Sequence, residues 1–166
     1  MSLRKKITNL YVIKAIFLFF SPMLLILISG EIRESISDYA YSDYDMYYVM
    51  LLTIAGTLFI NNGITSNKFY NSILGFSLLG VALTPHLDYP VLHYVFAGLF
   101  FFGSIFIMIF YSSQKQRIFK VIAAVVIIVA LLGFYPFKWY SLLVAEWIVL
   151  IPKCLDFVLE SLNKID

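Results

Sequence analysis

Six apolar runs, each close to the length of a membrane crossing, occupy most of the 166 residues. A helix that spans a bilayer needs roughly 17–25 mostly apolar residues. Because lipid cannot hydrogen-bond to the backbone, each run must pair its own N–H and C=O groups, which favours helices. The connecting loops are too short to form a soluble domain. The chain is therefore predicted to be an all-α, polytopic membrane helix bundle with one transmembrane domain, residues 1–166.

The predicted spans are bounded by polar or turn-forming residues. They cover residues 11–29, 46–62, 69–85, 92–111, 118–135 and 139–158, and an outer loop covers residues 30–45. The last span is expected to continue past Pro152, since a helix that ended there would be too short to cross. Beyond Pro152, Leu155, Val158, Leu159 and Leu162 follow a helical spacing. This amphipathic end either lies on the inner surface, contacts a partner, or frays into the cytosol.

Lysine and arginine are distributed unevenly over the predicted loops. With the N-terminus in the cytoplasm, ten of the twelve fall on the inner side and only Arg33 and Lys138 fall outside. Cytoplasmic loops are enriched in these residues, so both termini are predicted to be cytoplasmic. Lys14 is near enough to the inner edge for its ammonium group to reach the headgroups. The net charge of +2 gives no basis for a nucleic-acid partner.

The tyrosines support the same topology. Nine of the twelve fall at the outer face, and we call this set the Tyr-rich outer rim: Tyr39, Tyr41, Tyr44, Tyr47, Tyr48, Tyr89, Tyr94, Tyr135 and Tyr140. Tyrosine favours membrane interfaces because its ring is apolar and its hydroxyl group is polar. Nine exceeds what anchoring requires, so the rim is a candidate binding surface. The loop tyrosines Tyr39, Tyr41 and Tyr44 could enter the headgroup region.

Two ionisable residues lie inside predicted spans in the outer half. His93 shares a helix face with Ala97 and Ser104, which directs it toward neighbouring helices. Glu146 lies about two turns below Trp139. A carboxylate in the membrane costs roughly 2.5–3.5 kcal/mol, so it should face the bundle and have a partner. In span three, Ser72, Gly75 and Ala82 form a face of small residues that lets another helix approach closely.

The candidate binding residues combine these two with the outer loop. They are Ser35, Ser37, Asp38, Tyr39, Tyr41, His93 and Glu146. Two imidazoles near carboxylates are also zinc-ligand types, so His86, His93 and Asp38 form a candidate metal site, with Glu146 as an alternative carboxylate. In the competing interpretation no cofactor is bound, and His93 and Glu146 are hydrogen-bonded to tyrosine hydroxyls and helix backbone. Both interpretations stay open.

Three short motifs carry a resemblance. The chain reads SISDYAY from Ser35, GFSLLGVALTP from Gly75 and LHYVFAGLFF from Leu92. In this order they resemble a family of small, uncharacterised bacterial membrane proteins with an S-I-S-x-Y-x-Y loop motif and a G-V-A-L-x-P span. The matching positions are Ser35, Ser37, Tyr39, Tyr41, Asn71, Gly75, Gly80, Pro85 and His93. His86 and Ser141 stand where that family usually has threonine and glutamate.

The resemblance implies a bacterial multi-pass protein of the inner membrane and no particular activity. From the outer rim we expect a non-enzymatic protein that binds a lipid, a peptide or a protein partner, as a sensor or an assembly subunit. The partners expected are the lipid bilayer, a second protein or another copy of the chain. The alternative is a metal-dependent hydrolase that acts on a lipid at the outer leaflet, using the candidate zinc site.

Overall fold

The structure, a computed structural model, describes residues 3–111 and 117–161, and most of these residues are helical. The α-helices are α1 (Leu3–Ser29), α2 (Asp45–Thr65), α3 (Phe69–Leu83), α4 (Pro90–Phe106), α5 (Arg117–Phe134) and α6 (Leu142–Ser161). A 3-10 helix covers Ser37–Tyr41, and a π-helical turn, Ile107–Tyr111, continues α4. The described residues contain no strand, so the all-α prediction is confirmed.

Four of these helices are long and apolar enough to cross a membrane. They are Tyr11–Ser29 of α1, Asp45–Thr65, Pro90–Tyr111 and Arg117–Phe134. The other two helices do not combine this length with this apolar character. Helix α3 is apolar but has only 15 residues, whereas α6 has 20 residues but contains charged side chains such as Glu146, Lys153 and Asp156. A total of six spans and the cytoplasmic position of both termini stay predictions.

Helix ends follow local backbone preferences. The first helix ends at Ser29 because Gly30 adopts a left-handed conformation, φ +70°, which glycine tolerates without steric cost. Helix α4 begins at Pro90, since proline suits the first turn, where its missing N–H is not needed. Helix α6 continues past Pro152 to Ser161, as predicted. Leu162 lies outside the described residues, so the position of the amphipathic end stays a prediction.

The closest helix packing joins α2 and α3. An added Cβ atom on Gly75 would lie 2.5 Å from the Gly56 carbonyl oxygen and 2.9 Å from the Ile60 nitrogen. Ser72 packs directly against Gly63, and Ala82 is buried on the same side of α3. The small-residue face predicted for span three is therefore confirmed. It lets two backbones touch, as small residues do between membrane helices.

The remaining helices pack against this pair directly or through a neighbouring helix. Helix α1 packs against α2 and α6, α3 packs against α4, and α5 packs against α6. Helices α4 and α5 make few direct contacts along their length. They meet through Ile105 at the end of α4 and Met108 in the π-helical turn, which pack with Ala123 and Ile127 of α5. Toward the opposite end, α4 and α5 separate.

The end of the bundle that contains Lys14, which we call the lysine end, is closed by buried polar groups. Lys14 Nζ donates to Asn62 Oδ1 at 3.2 Å, and Asn71 Nδ2 donates to the same oxygen at 2.7 Å. The Lys14 ammonium also lies 4.3 Å from the centre of the Phe59 ring. Lys14 and Asn62 are fully buried. The expectation that Lys14 reaches the headgroups is therefore wrong, because hydrogen bonds and an aromatic face hold it inside.

A Gly75→Ala substitution should weaken the α2–α3 contact. The new methyl group would meet backbone atoms, which cannot move aside as a flexible side chain can, so the free energy of unfolding should fall by about 1–3 kcal/mol. Gly98→Ala is the matched control, since a Cβ there meets only Phe102 Cδ2 at 3.9 Å. It should leave stability unchanged or raise it by roughly 0.5–1 kcal/mol. Thermal unfolding in detergent measures both, and equal stability of the two variants would contradict this account.

An Asn62→Leu substitution should destabilise the lysine end. It removes the acceptor shared by Lys14 and Asn71, so a fall of about 1–3 kcal/mol in the free energy of unfolding is expected. The neighbouring Asn61 has an exposed side chain, so Asn61→Leu serves as the control and should change stability little. Chemical unfolding in mild detergent compares the two. A similar midpoint for both would show that the buried hydrogen bonds contribute nothing.

Candidate functional site

We call the opposite end of the bundle the rim. It is formed by residues 30–44 (the rim loop), 84–89 and 135–141, and it is defined by these segments and not by the nine tyrosines of the Tyr-rich outer rim. A cavity of about 650 Å³ opens here between these segments and the ends of α4, α5 and α6. Its polar lining consists of Glu34, Ser35, Ser37, Asp38, His86, His93, Ser141 and Glu146. Its apolar and aromatic lining consists of Tyr94, Ala97, Gly98, Phe101, Phe102, Leu131, Phe134, Tyr135 and Leu142.

The loop at residues 30–44 folds back onto the helices, and α6 anchors it. Glu146 Oε2 accepts the backbone N–H of Ile36 at 2.7 Å, and the Leu143 N–H donates to the Glu34 carbonyl at 2.7 Å. Within the loop, Ser35 Oγ accepts the Asp38 N–H at 3.1 Å. Glu146 therefore faces the bundle and has a partner, as predicted. That partner is loop backbone and not a tyrosine hydroxyl.

The tyrosines of the loop mostly serve this internal structure. Tyr39 is fully buried, and its hydroxyl donates to the Glu31 carbonyl at 2.7 Å. The Tyr41 hydroxyl accepts the Leu87 N–H at 2.6 Å and so joins two rim segments. Tyr48 is also fully buried. The expectation that Tyr39 enters the headgroup region is therefore wrong, because its ring fills the protein core.

The two histidines lie side by side in the cavity wall. Their ring centres are 5.7 Å apart, and His86 Nε2 lies 3.3 Å from Asp38 Oδ1. His93 is buried, as its predicted helix face requires, and its Nδ1 lies 2.6 Å from the Thr84 carbonyl oxygen. Since a carbonyl oxygen only accepts, His93 Nδ1 carries the proton. His86 Nδ1 is buried without a hydrogen-bond partner.

The cavity brings together most of the predicted binding residues. Five of the seven line it: Ser35, Ser37, Asp38, His93 and Glu146. The other two, Tyr39 and Tyr41, stabilise the loop that forms its wall. Sequence analysis missed the apolar half of the lining, most clearly Phe101, Phe102 and Leu131. These residues lie in uniformly apolar spans, where nothing in the sequence separates a cavity wall from a lipid-facing surface.

The candidate metal residues His86, His93 and Asp38 are neighbours in the structure. Even so, the described residues contain no group of three or more histidine, cysteine, aspartate or glutamate side chains placed to hold a metal ion. His93 Nδ1 is already engaged by the Thr84 carbonyl. Only its Nε2 remains open to a ligand. The zinc site gains no support from this arrangement and stays a prediction.

Charge is distributed one-sidedly around the cavity. Three carboxylate side chains, those of Glu34, Asp38 and Glu146, line it, whereas no lysine or arginine of the described residues does. Arg33 is close by, but its guanidinium group pairs with Glu31 at 2.8 Å and also lies 3.5 Å from the Asp38 carbonyl oxygen. The cavity is therefore rich in hydrogen-bond acceptors at one end and apolar at the other.

A smaller cavity of about 70 Å³ lies next to the first, within the helix core. Both are lined by Ser37, His93, Ala97, Phe101 and Glu146. Beyond these shared residues the smaller cavity is bounded by apolar side chains such as Leu25, Leu78 and Leu150. Glu146 thus stands where the polar part of the rim gives way to the apolar interior.

Comparison with known proteins gives a family but no activity. No curated protein and no solved structure matches the chain. Residues 20–161, which include every residue that lines the rim cavity, match a family of unknown function (DUF7103). This agrees with the resemblance to an uncharacterised family that the sequence motifs suggested. The chain belongs to the family of unknown function DUF7103.

Proposed function

We propose that the chain is a non-enzymatic, multi-pass protein of a bacterial inner membrane that binds a membrane amphiphile in the rim cavity. The observation that carries this proposal is the two-part lining, which is polar around Ser37 and Asp38 and apolar around Phe102 and Leu131. A volume of about 650 Å³ falls within the roughly 300–1,000 Å³ usual for small-molecule sites. An amphiphile matches such a lining because it presents a headgroup and a chain.

The separation of α4 and α5 supports entry from the bilayer. Toward the rim, the cavity lies between Gly98 and Phe102 of α4 and Leu131 and Phe134 of α5. Phe102 lines the cavity and is 64% exposed. If α4 and α5 cross the membrane, the space between them opens toward acyl chains. A lipid could then pass between the helices without leaving the membrane.

A small amphiphile fits the rim better than a protein partner. Protein interfaces commonly use exposed aromatic side chains as anchors. In the rim loop, however, Tyr39 is buried, and the Tyr41 hydroxyl already bonds to the Leu87 backbone. Tyr94 and Tyr135, which are 57% exposed, line the cavity itself. These four tyrosines thus build and border a cavity, which favours a ligand that enters it.

The proposed topology places the rim outside the cytoplasm, and cysteine labelling tests it. The one native cysteine, Cys154, is buried, so single exposed cysteines report their own position. In intact cells, a membrane-impermeant maleimide should label Asp43→Cys in the rim loop but not Thr65→Cys at the lysine end, and both should react after lysis. Both positions are exposed in the structure. The reverse pattern would overturn the proposed orientation.

A Gly98→Phe substitution should fill the cavity without disturbing the fold. Gly98 lines the cavity, and a Cβ there meets only Phe102 Cδ2 at 3.9 Å. The added ring occupies the space that a bound chain would need, so lipid retained by the purified protein should fall about tenfold, which corresponds to about 1.4 kcal/mol. Native mass spectrometry in mild detergent, with lipids identified after extraction, measures the retained amount.

The control is Val95→Phe, which adds the same ring to an exposed position of α4 outside the cavity lining. It should retain lipid like the unaltered chain. Equal retention by all three proteins, or none by any, would refute cavity binding. Metal analysis of the same samples addresses the hydrolase alternative. One zinc per chain, lost together in His86→Ala and His93→Ala, would favour that alternative over the proposal.

A further inference from the structure

The groups that line the polar end of the rim cavity determine what a headgroup must offer. This argument rests on the amphiphile-binding function proposed above and asks which headgroup the cavity selects. The serine and tyrosine hydroxyls that line the cavity can both donate and accept hydrogen bonds. The other polar groups favour a ligand that donates, as follows from His93, from the carboxyl groups and from the surroundings of His86.

His93 contributes the most defined acceptor. Its side chain is 4% exposed and lines the cavity. The Nδ1 atom holds the ring proton because it faces the Thr84 carbonyl oxygen at 2.6 Å. In the neutral imidazole, Nε2 then carries a lone pair and can only accept. Among the described residues, Nε2 has no hydrogen-bond partner. This lone pair is therefore available to a ligand donor in the cavity.

Carboxyl groups add to this acceptor. Glu146 uses Oε2 for the Ile36 N–H, and Asp38 uses Oδ1 for the contact with His86. Each keeps a second oxygen, and that of Asp38 can accept a hydrogen bond from a ligand donor. Glu34 lines the entrance with an exposed side chain. His86 faces Asp38, with its Nε2 atom 3.3 Å from Asp38 Oδ1. No lysine or arginine of the described chain lines the cavity to balance an anion.

We infer that the headgroup bound in the rim cavity presents hydrogen-bond donors, as ammonium or hydroxyl groups, and carries no net negative charge. An ammonium group would sit among Asp38, Glu146 and His93 Nε2, where charge-assisted hydrogen bonds are strong. A sugar headgroup would offer hydroxyl donors to the same acceptors. An anionic headgroup would face the carboxylates of Glu34 and Asp38, while the nearby Arg33 guanidinium already pairs with Glu31, an arrangement that electrostatic repulsion disfavours.

The experiment compares lipids that differ only in headgroup. Dioleoyl phosphatidylethanolamine, dioleoyl phosphatidic acid and a dioleoyl glucosyl diacylglycerol are each offered to delipidated protein in mild detergent, and bound lipid is counted by native mass spectrometry. Phosphatidylethanolamine differs from phosphatidic acid by its ethanolamine group, so this pair changes the ammonium donor and the net charge together, the two properties that the inference names. We expect the ethanolamine lipid, the glucosyl lipid or both to bind roughly tenfold better than phosphatidic acid, the change expected from one hydrogen bond to a charged group. The better binder of the two identifies the donor.

Asp38→Asn tests whether the cavity charge sets this preference. Asparagine keeps the size of the side chain and an oxygen toward His86, but it removes the negative charge. The preference for the donor headgroup over phosphatidic acid should therefore fall several-fold. Asp43→Asn is the matched control, because Asp43 is an exposed carboxylate of the same loop that does not line the cavity. It should leave the preference unchanged. A merely structural role of Asp38 would weaken all lipids equally and leave the ratio constant.

The outcomes separate this inference from the proposed function. If phosphatidic acid binds as well as the other lipids or better, and Gly98→Phe abolishes that binding, the cavity binds amphiphiles but the headgroup inference is wrong. An unchanged preference in Asp38→Asn would also overturn it. If none of the three lipids binds the unaltered chain, both the inference and the proposed function fail.

Discussion

The hydrogen bond from the Ile36 backbone to Glu146 is the contact on which the rim depends. It joins residues 110 positions apart and fixes the polar loop against α6 at 2.7 Å. A carboxyl group buried among apolar helices is costly unless it has a partner, and the hydrogen bond to the loop backbone offsets part of that cost. The bond also leaves the second carboxylate oxygen toward the cavity. One side chain therefore both closes the loop and supplies part of the polar lining.

The two ends of the bundle accommodate their polar side chains differently. The lysine end is tightly packed, whereas the rim encloses a cavity. At the lysine end, Asn62 collects Lys14 and Asn71 in a fully buried arrangement, and the α2–α3 backbones touch at Gly56 and Gly75. Little space remains there between α1, α2 and α3. At the rim, α4 and α5 separate, and side chains from three loops border the space between them. Tight packing at the lysine end holds the helices in a fixed arrangement. A binding site at the rim needs this rigidity if its polar groups are to keep their positions.

The sequence was most informative where composition alone decides structure. Apolar length predicted the helices, the small residues of span three predicted the close α2–α3 contact, and the cost of a buried carboxylate predicted that Glu146 faces inward. Lys14 could not be predicted in this way, because a lysine near a span end is usually expected to reach the headgroups. Its burial depends on Asn62 and Phe59, which lie far along the chain.

The polar part of the cavity lining could be predicted from the sequence, whereas the apolar part could not. Ser35, Ser37, Asp38, His93 and Glu146 stood out because polar residues beside or inside apolar spans require a physical reason. Phe101, Phe102 and Leu131 did not, since the same side chains suit lipid, helix packing or a cavity wall equally well. What distinguishes them is the divergence of α4 from α5, and that depends on the packing of Ile105 and Met108 at the far end of those helices. Helix divergence sets the cavity width, and the folded loop sets its polarity, so ligand selection at the rim requires both.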